Sequence, residues 1–174
     1  MTSTTQLPGR INTTTLIRGG LIGVIAGMMM AMFTMIATGT YLHLGFFAPL
    51  YAIGAPITGN APMTAYVMHG ILSVPDMLVG LMVHMADSFI LGAIFAAVVS
   101  YFKWTRSKIL VVAVIYGLLV EATFKLAILP LVGSQMASQL GVLSFTLAHI
   151  IFGMTLGLVM LILWDKWFAP TLDK

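Results

Sequence analysis

The sequence predicts an all-α membrane protein: a four-transmembrane-helix bundle made of two parallel helical-hairpin repeats, with a long outer loop containing short interfacial helices. Three observations predict it. Of the 174 residues, 60% are hydrophobic and only 7% are charged, whereas a soluble domain carries roughly 25% charged residues. The mean hydropathy is +1.05. Apolar runs long enough to cross the hydrocarbon, ~20 residues each, recur along the chain, which reads as one transmembrane domain over residues 1–174. Such a composition cannot clothe a water-soluble core, so a soluble enzyme, a disordered chain and a nucleic-acid binder are excluded. The lipid bilayer is the first partner. The lack of cysteine removes disulfides, thiol chemistry and iron–sulfur clusters.

The spans are expected at about residues 16–42, 77–102, 109–131 and 140–164. The first follows Arg10 and Arg18, but it is about twice the ~7–15 residues of a signal-peptide core, so it is read as a span. The stretch between spans one and two holds Pro49, Pro56, Pro62 and Pro75 with Gly45, Gly54, Gly59 and Gly70. That punctuation breaks a continuous helix and leaves two short apolar pieces, residues 46–53 and 63–72, expected as interfacial or re-entrant segments.

Orientation follows from the cations. Arg10 and Arg18 precede span one, Lys103, Arg106 and Lys108 separate spans two and three, and Lys166 and Lys174 follow span four. The segments 42–76 and 131–139 contain no Lys or Arg. The positive-inside rule therefore places both termini in the cytoplasm of a multi-pass protein of a prokaryotic cytoplasmic membrane, with Trp104, Trp164 and Trp167 as anchors at that boundary.

A repeat is visible in the register. Arg18 and Lys108 each lie nine residues before a glycine, Gly27 and Gly117. His84 is followed at four and eight residues by Ser88 and Gly92, and His149 at the same steps by Gly153 and Gly157. Two hairpins of equal topology imply a pseudo-two-fold axis along the membrane normal. Burying leucine does not drive helices together in lipid, whereas close backbone approach does. The rows Gly19–Gly23–Gly27–Ala31, Ser88–Gly92–Ala96–Ser100 and Gly153–Gly157 are therefore helix-packing seams. Met28, Met32 and Met35 share a face of span one, read as packing or lipid contact, with a Cu(I) path as the sharper alternative.

The informative residues are polar ones inside spans: His84, Asp87, Ser88, Glu121, Lys125 and His149. A charge at mid-bilayer costs about 2.5–3.5 kcal/mol on insertion scales and normally faces the bundle interior. Counting ~1.5 Å per residue puts the five ionisable groups at overlapping levels in the outer half of the bilayer. Glu121 precedes Lys125 by four, the favourable direction for a helical ion pair, although Lys125 can instead snorkel. Asp87 could hold a ring N–H of His84 or reach Lys125. His84 and His149 could serve as structural donors, as axial ligands of haem b, or with Asp87 and Glu121 as a divalent-metal set. A His–carboxylate chain could also relay protons or bind a quinone head group.

The chain resembles an uncharacterised family of prokaryotic four-helix membrane proteins. The matching features are Gly19, Gly20, Gly23 and Gly27 in the first span, His84 and Gly92 in the second, Pro130 before Gly133, and the run from Ala148-His149 through Gly153 to Gly157. The resemblance implies a four-helix fold and no specific chemistry; Glu121 and Lys125 stand outside its pattern.

No nucleophile–base pair, phosphate loop or dinucleotide turn is present, so the chain is read as non-enzymatic. The leading expectation is an accessory or binding subunit of a larger membrane complex, an electron-transfer complex being one candidate, with Phe46, Phe47, Tyr51 and Tyr66 of the outer loop docking to other subunits. A haem- or metal-binding carrier and a small proton or ion transporter are the alternatives.

Overall fold

A computed structural model describes residues 12–102, 104–134 and 136–168. Of the cations used for orientation, Arg10, Lys103 and Lys174 lie outside the described residues. Six helices carry the architecture: α1 (Thr13–Thr40), α2 (Ala48–Thr58), α3 (Ala61–His69), α4 (Val74–Phe102), α5 (Arg106–Leu131) and α6 (Met136–Ile162). A π-helical turn follows at Trp164–Phe168. The described residues contain no strand. Four helices are long and apolar enough to cross a membrane: α1, α4, α5 and the Gln139–Ile162 part of α6.

The span limits shift for local reasons. Asn12 caps α1 by accepting from the Thr15 backbone N–H at 2.8 Å. Proline opens helices here as much as it breaks them. Pro49 and Pro62 sit in the first turns of α2 and α3, and Pro75 in that of α4, where a missing N–H costs nothing. The outer loop is consequently more helical than expected, and α2 runs on through Pro56 to Thr58. The breaks fall on glycines in the left-handed region, Gly59 (φ 79°) and Gly70 (φ 67°). Pro130 deforms α5 upstream: its ring cannot donate to Leu126, and the Phe124–Ile128 segment is π-helical.

The seams form as the small residues require. α1 and α4 run together so closely that a Cβ on Gly23 would strike the Ser88 backbone and Gly92, and one on Gly19 would strike Gly92 and Ala96. α5 and α6 repeat the arrangement, with Gly117 against His149 and Gly153, and Gly157 against Ala113 and Leu110. Gly27 faces Ser88 just as Gly117 faces Gly153, so the hairpin register read from the sequence is the packing register.

The symmetry stops at the hairpins' outer faces. α1 packs along α6, but α4 and α5 barely meet. Helix α2 lies against α4 instead, with Gly54 at Gly80 and the Leu50 carbonyl on Gly80.

Several expected roles are corrected. Tyr51 is buried rather than displayed for docking, and Tyr66 is only partly exposed. Tyr51 is 1% exposed, stacks on Tyr66 with ring centroids 5.0 Å apart, and its hydroxyl accepts from the Ser73 N–H at 2.7 Å. The Tyr66 hydroxyl accepts from the Phe47 N–H at 3.1 Å. These aromatics staple the loop to the bundle. Trp164 faces the core rather than the interface. Met28 and Met32 face outward from α1, whereas Met30 is buried in the bundle.

Candidate functional site

The gap between α4 and α5 holds a cavity of about 280 Å³. Its walls come from α1, α2, α4, α5 and α6. α4 supplies Val83, His84, Asp87, Ser88 and Leu91, and α6 supplies Phe145, His149 and Phe152. Val120, Phe124 and Ile128 of α5, Met30 of α1, and Ala52 and Pro56 of α2 complete them. These belong to the later part of α5 and the earlier parts of α4 and α6, the half of the bundle remote from Arg18, Arg106 and Lys166. The gap is closed toward that cationic end by Tyr116, whose hydroxyl donates to the Leu91 carbonyl at 2.8 Å. The π-helical turn of α5 places Phe124 and Ile128 in the wall, a recurrent use of such turns at functional sites.

Two buried imidazoles face this cavity with opposite tautomers. His84 bonds the Gly27 carbonyl through Nε2 at 3.0 Å. His149 bonds the Phe145 carbonyl of its own helix through Nδ1 at 2.8 Å. A carbonyl can only accept, so each of these ring nitrogens carries the proton. In the neutral rings Nδ1 of His84 and Nε2 of His149 are therefore bare lone pairs. The two histidines match in register, yet they anchor differently: Gly27 presents its carbonyl to His84 across the α1–α4 seam, whereas His149 turns back along α6.

Asp87 is half-buried in the cavity wall. It does not bond His84, whose tautomer is set by Gly27, and it makes no ion pair with Lys125; among the described residues the one salt bridge joins Arg106 to Asp165 at 3.0 Å. The expected Glu121–Lys125 pair does not form either. Glu121, 8% exposed, accepts from the Thr146 hydroxyl of α6 at 2.6 Å. The backbone passes from α to π geometry at Phe124, so α-helical i, i+4 spacing no longer applies. Lys125 is partly exposed and outside the cavity wall, free to extend its stem toward the interface.

The polar cluster thus divides. His84, Asp87, Ser88 and His149 share the cavity; Glu121 lies behind its wall and Lys125 is elsewhere. The four-residue metal set His84, Asp87, Glu121 and His149 is not assembled, and no group of three metal-ligating side chains occurs among the described residues. A bis-imidazole haem fits poorly. His84 spends its Nε2–H on Gly27, and a cavity of about 280 Å³ lies at the lower edge of ligand pockets, ~300–1,000 Å³. The short helix expected near residues 46–53 is present as α2, but nothing in the sequence shows that it walls this cavity, which lies where α4 and α5 meet only sparsely, at Tyr116 and Leu91. His43 and His69 are exposed in the segment between α1 and α4, away from this cavity.

Comparison of the chain with protein-family models, with curated proteins and with solved structures finds no match, so the site's chemistry has to be judged on its own geometry.

Proposed function

We propose that the protein is a non-catalytic intramembrane binding protein that takes a small, mostly apolar molecule with one polar end into the cavity between α4 and α5. The observation that carries this reading is the convergence of His84, Asp87, Ser88 and His149 on a mostly apolar cavity. Such cavities, with few well-placed polar groups between helices, are the usual form of a small-molecule site. Ionisable groups are tolerated in spans where they serve one. The opening between α4 and α5 offers a route from the lipid. As a subunit of a larger membrane assembly, the protein would present that molecule to its neighbours. The resemblance to a prokaryotic four-helix family adds support for the fold and leaves the ligand open.

The test is saturable uptake of 2-phenylethanol by the protein in phosphatidylcholine nanodiscs, with empty nanodiscs as the reference. Val83→Phe and Val120→Phe, each filling the cavity from a different helix, abolish the saturable component. Uptake by the parent that is linear and equal to empty nanodiscs refutes the reading.

Orientation belongs to the same proposal. Arg18 and Trp167 meet at one end of the bundle, where the guanidinium donates to the Trp167 carbonyl at 2.5 Å and lies 5.9 Å from its ring. Arg106 pairs with Asp165 at that end too. That cationic end faces the cytoplasm, leaving the cavity in the outer half of a prokaryotic cytoplasmic membrane. Because the native chain has no cysteine, Asn60→Cys and Ser107→Cys report sidedness directly. An impermeant maleimide labels the first in intact cells and the second only after permeabilisation; the reverse pattern inverts the topology.

A further inference from the structure

We propose that the ligand of this cavity is a small lipophilic ammonium: a compact apolar body carrying one N–H-bearing cationic nitrogen that faces Asp87, His84 and His149. The inference rests on the binding reading above and specifies its ligand class.

Acceptors outnumber donors on the cavity wall. Both histidine N–H groups are spent on carbonyls, Gly27 for His84 and Phe145 for His149. What the neutral imidazoles offer a guest is two lone pairs. Asp87 adds a carboxyl group. The donor side of the wall is nearly empty. No Lys or Arg lines the cavity among the described residues, and Lys125 makes no ion pair with Asp87. The Ser88 hydroxyl is the one side-chain group in this polar patch that can donate in every state. The Ser134 hydroxyl, whose oxygen accepts from the Met136 N–H at 3.3 Å, is the other hydroxyl donor among the described lining residues.

A site with surplus acceptors and an unpaired carboxyl selects a guest that brings donors and positive charge. An uncharged apolar guest would leave the carboxyl without a partner in a low-dielectric wall, which is costly. The guest's shape follows from the remaining walls. Phe124, Phe145 and Phe152 contribute aromatic rings, which hold an apolar body and attract a cation through their faces. A bare metal ion is a worse match: the described residues hold no group of three ligating side chains, and the aliphatic and aromatic walls cannot replace its hydration shell.

The experiment compares three probes of nearly equal shape by equilibrium dialysis against nanodiscs of zwitterionic phosphatidylcholine: 2-phenylethylamine as its ammonium, 2-phenylethanol, and propylbenzene. The expected result is an ammonium bound at least tenfold more tightly than the alcohol, with propylbenzene weakest. Asp87→Asn brings the ammonium down to the affinity of the alcohol while alcohol binding persists, which also certifies that the variant is folded. An alcohol that binds the parent as tightly as the ammonium overturns the ammonium assignment and leaves the binding reading standing. So does an ammonium preference that survives in Asp87→Asn. Failure of all three probes to bind the parent above empty nanodiscs overturns both.

Discussion

Gly27 sits where packing and the site meet, and its replacement tests both. The carbonyl of Gly27 accepts the His84 Nε2–H at 3.0 Å. A Cβ added there would lie 2.6 Å from the Ser88 Cβ and closer still to its hydroxyl. Carbon atoms settle at about 3.5–4.0 Å, so Gly27→Ala must part α1 and α4 by about 1 Å. That retreat stretches the His84 bond to about 4 Å, beyond hydrogen-bond reach. Overpacking costs about 1–3 kcal/mol, and a stranded buried N–H about 1–3 kcal/mol more. Opposing them is the gain of about 1 kcal/mol from replacing glycine inside a helix. The balance is a net destabilisation of about 1–5 kcal/mol. The second hairpin shows the remedy: it places Gly153 against Gly117 where the first places Ser88 against Gly27. Gly27→Ala combined with Ser88→Gly therefore recovers about 1 kcal/mol or more relative to the sum of the single changes, as contacting positions do. Reversible unfolding in mixed micelles, read by tryptophan fluorescence, measures the cycle. A Gly27→Ala variant as stable as the parent, or a strictly additive double variant, refutes the claim that this contact sets the helix spacing at His84.

Other outcomes follow from the same coordinates. Tyr51→Phe removes two hydrogen bonds to Ser73, each worth about 0.6 kcal/mol within a membrane protein. Amide exchange at Ser73 accelerates while α1 exchange is unchanged. Glu121→Gln keeps an acceptor for the Thr146 hydroxyl and lies outside the cavity wall, so ammonium binding by dialysis stays within twofold of the parent. Arg106→Ala breaks an ion pair whose side chains are 55% and 77% exposed, and stability changes by less than about 0.5 kcal/mol in the same micelle assay.

Much of this molecule is legible without coordinates, because hydrocarbon imposes severe rules on any chain that crosses it. Apolar length locates α1, α4, α5 and α6 to within a few residues. The four-residue spacing of Gly19, Gly23 and Gly27 finds the face that docks, and His84, Asp87 and His149 line one cavity. The residues that misled are those whose partners lie on other helices. Glu121 reads as the neighbour of Lys125 because local spacing is all a sequence displays, yet Thr146 across the interface holds it. Tyr51 reads as a docking residue because its segment stands outside the spans, yet α2 packs against α4 and buries it.

The amino-acid order by itself determined the solvent, the number of crossings and the seams, since these depend on hydropathy and on side-chain size at helical spacing. Only the tertiary structure decided that α1 packs along α6 while α4 and α5 meet at few residues, and that difference makes the cavity. Where two helices draw apart depends on the shapes of all the others. The ring nitrogens left bare on His84 and His149 depend on carbonyls that folding alone brings within reach.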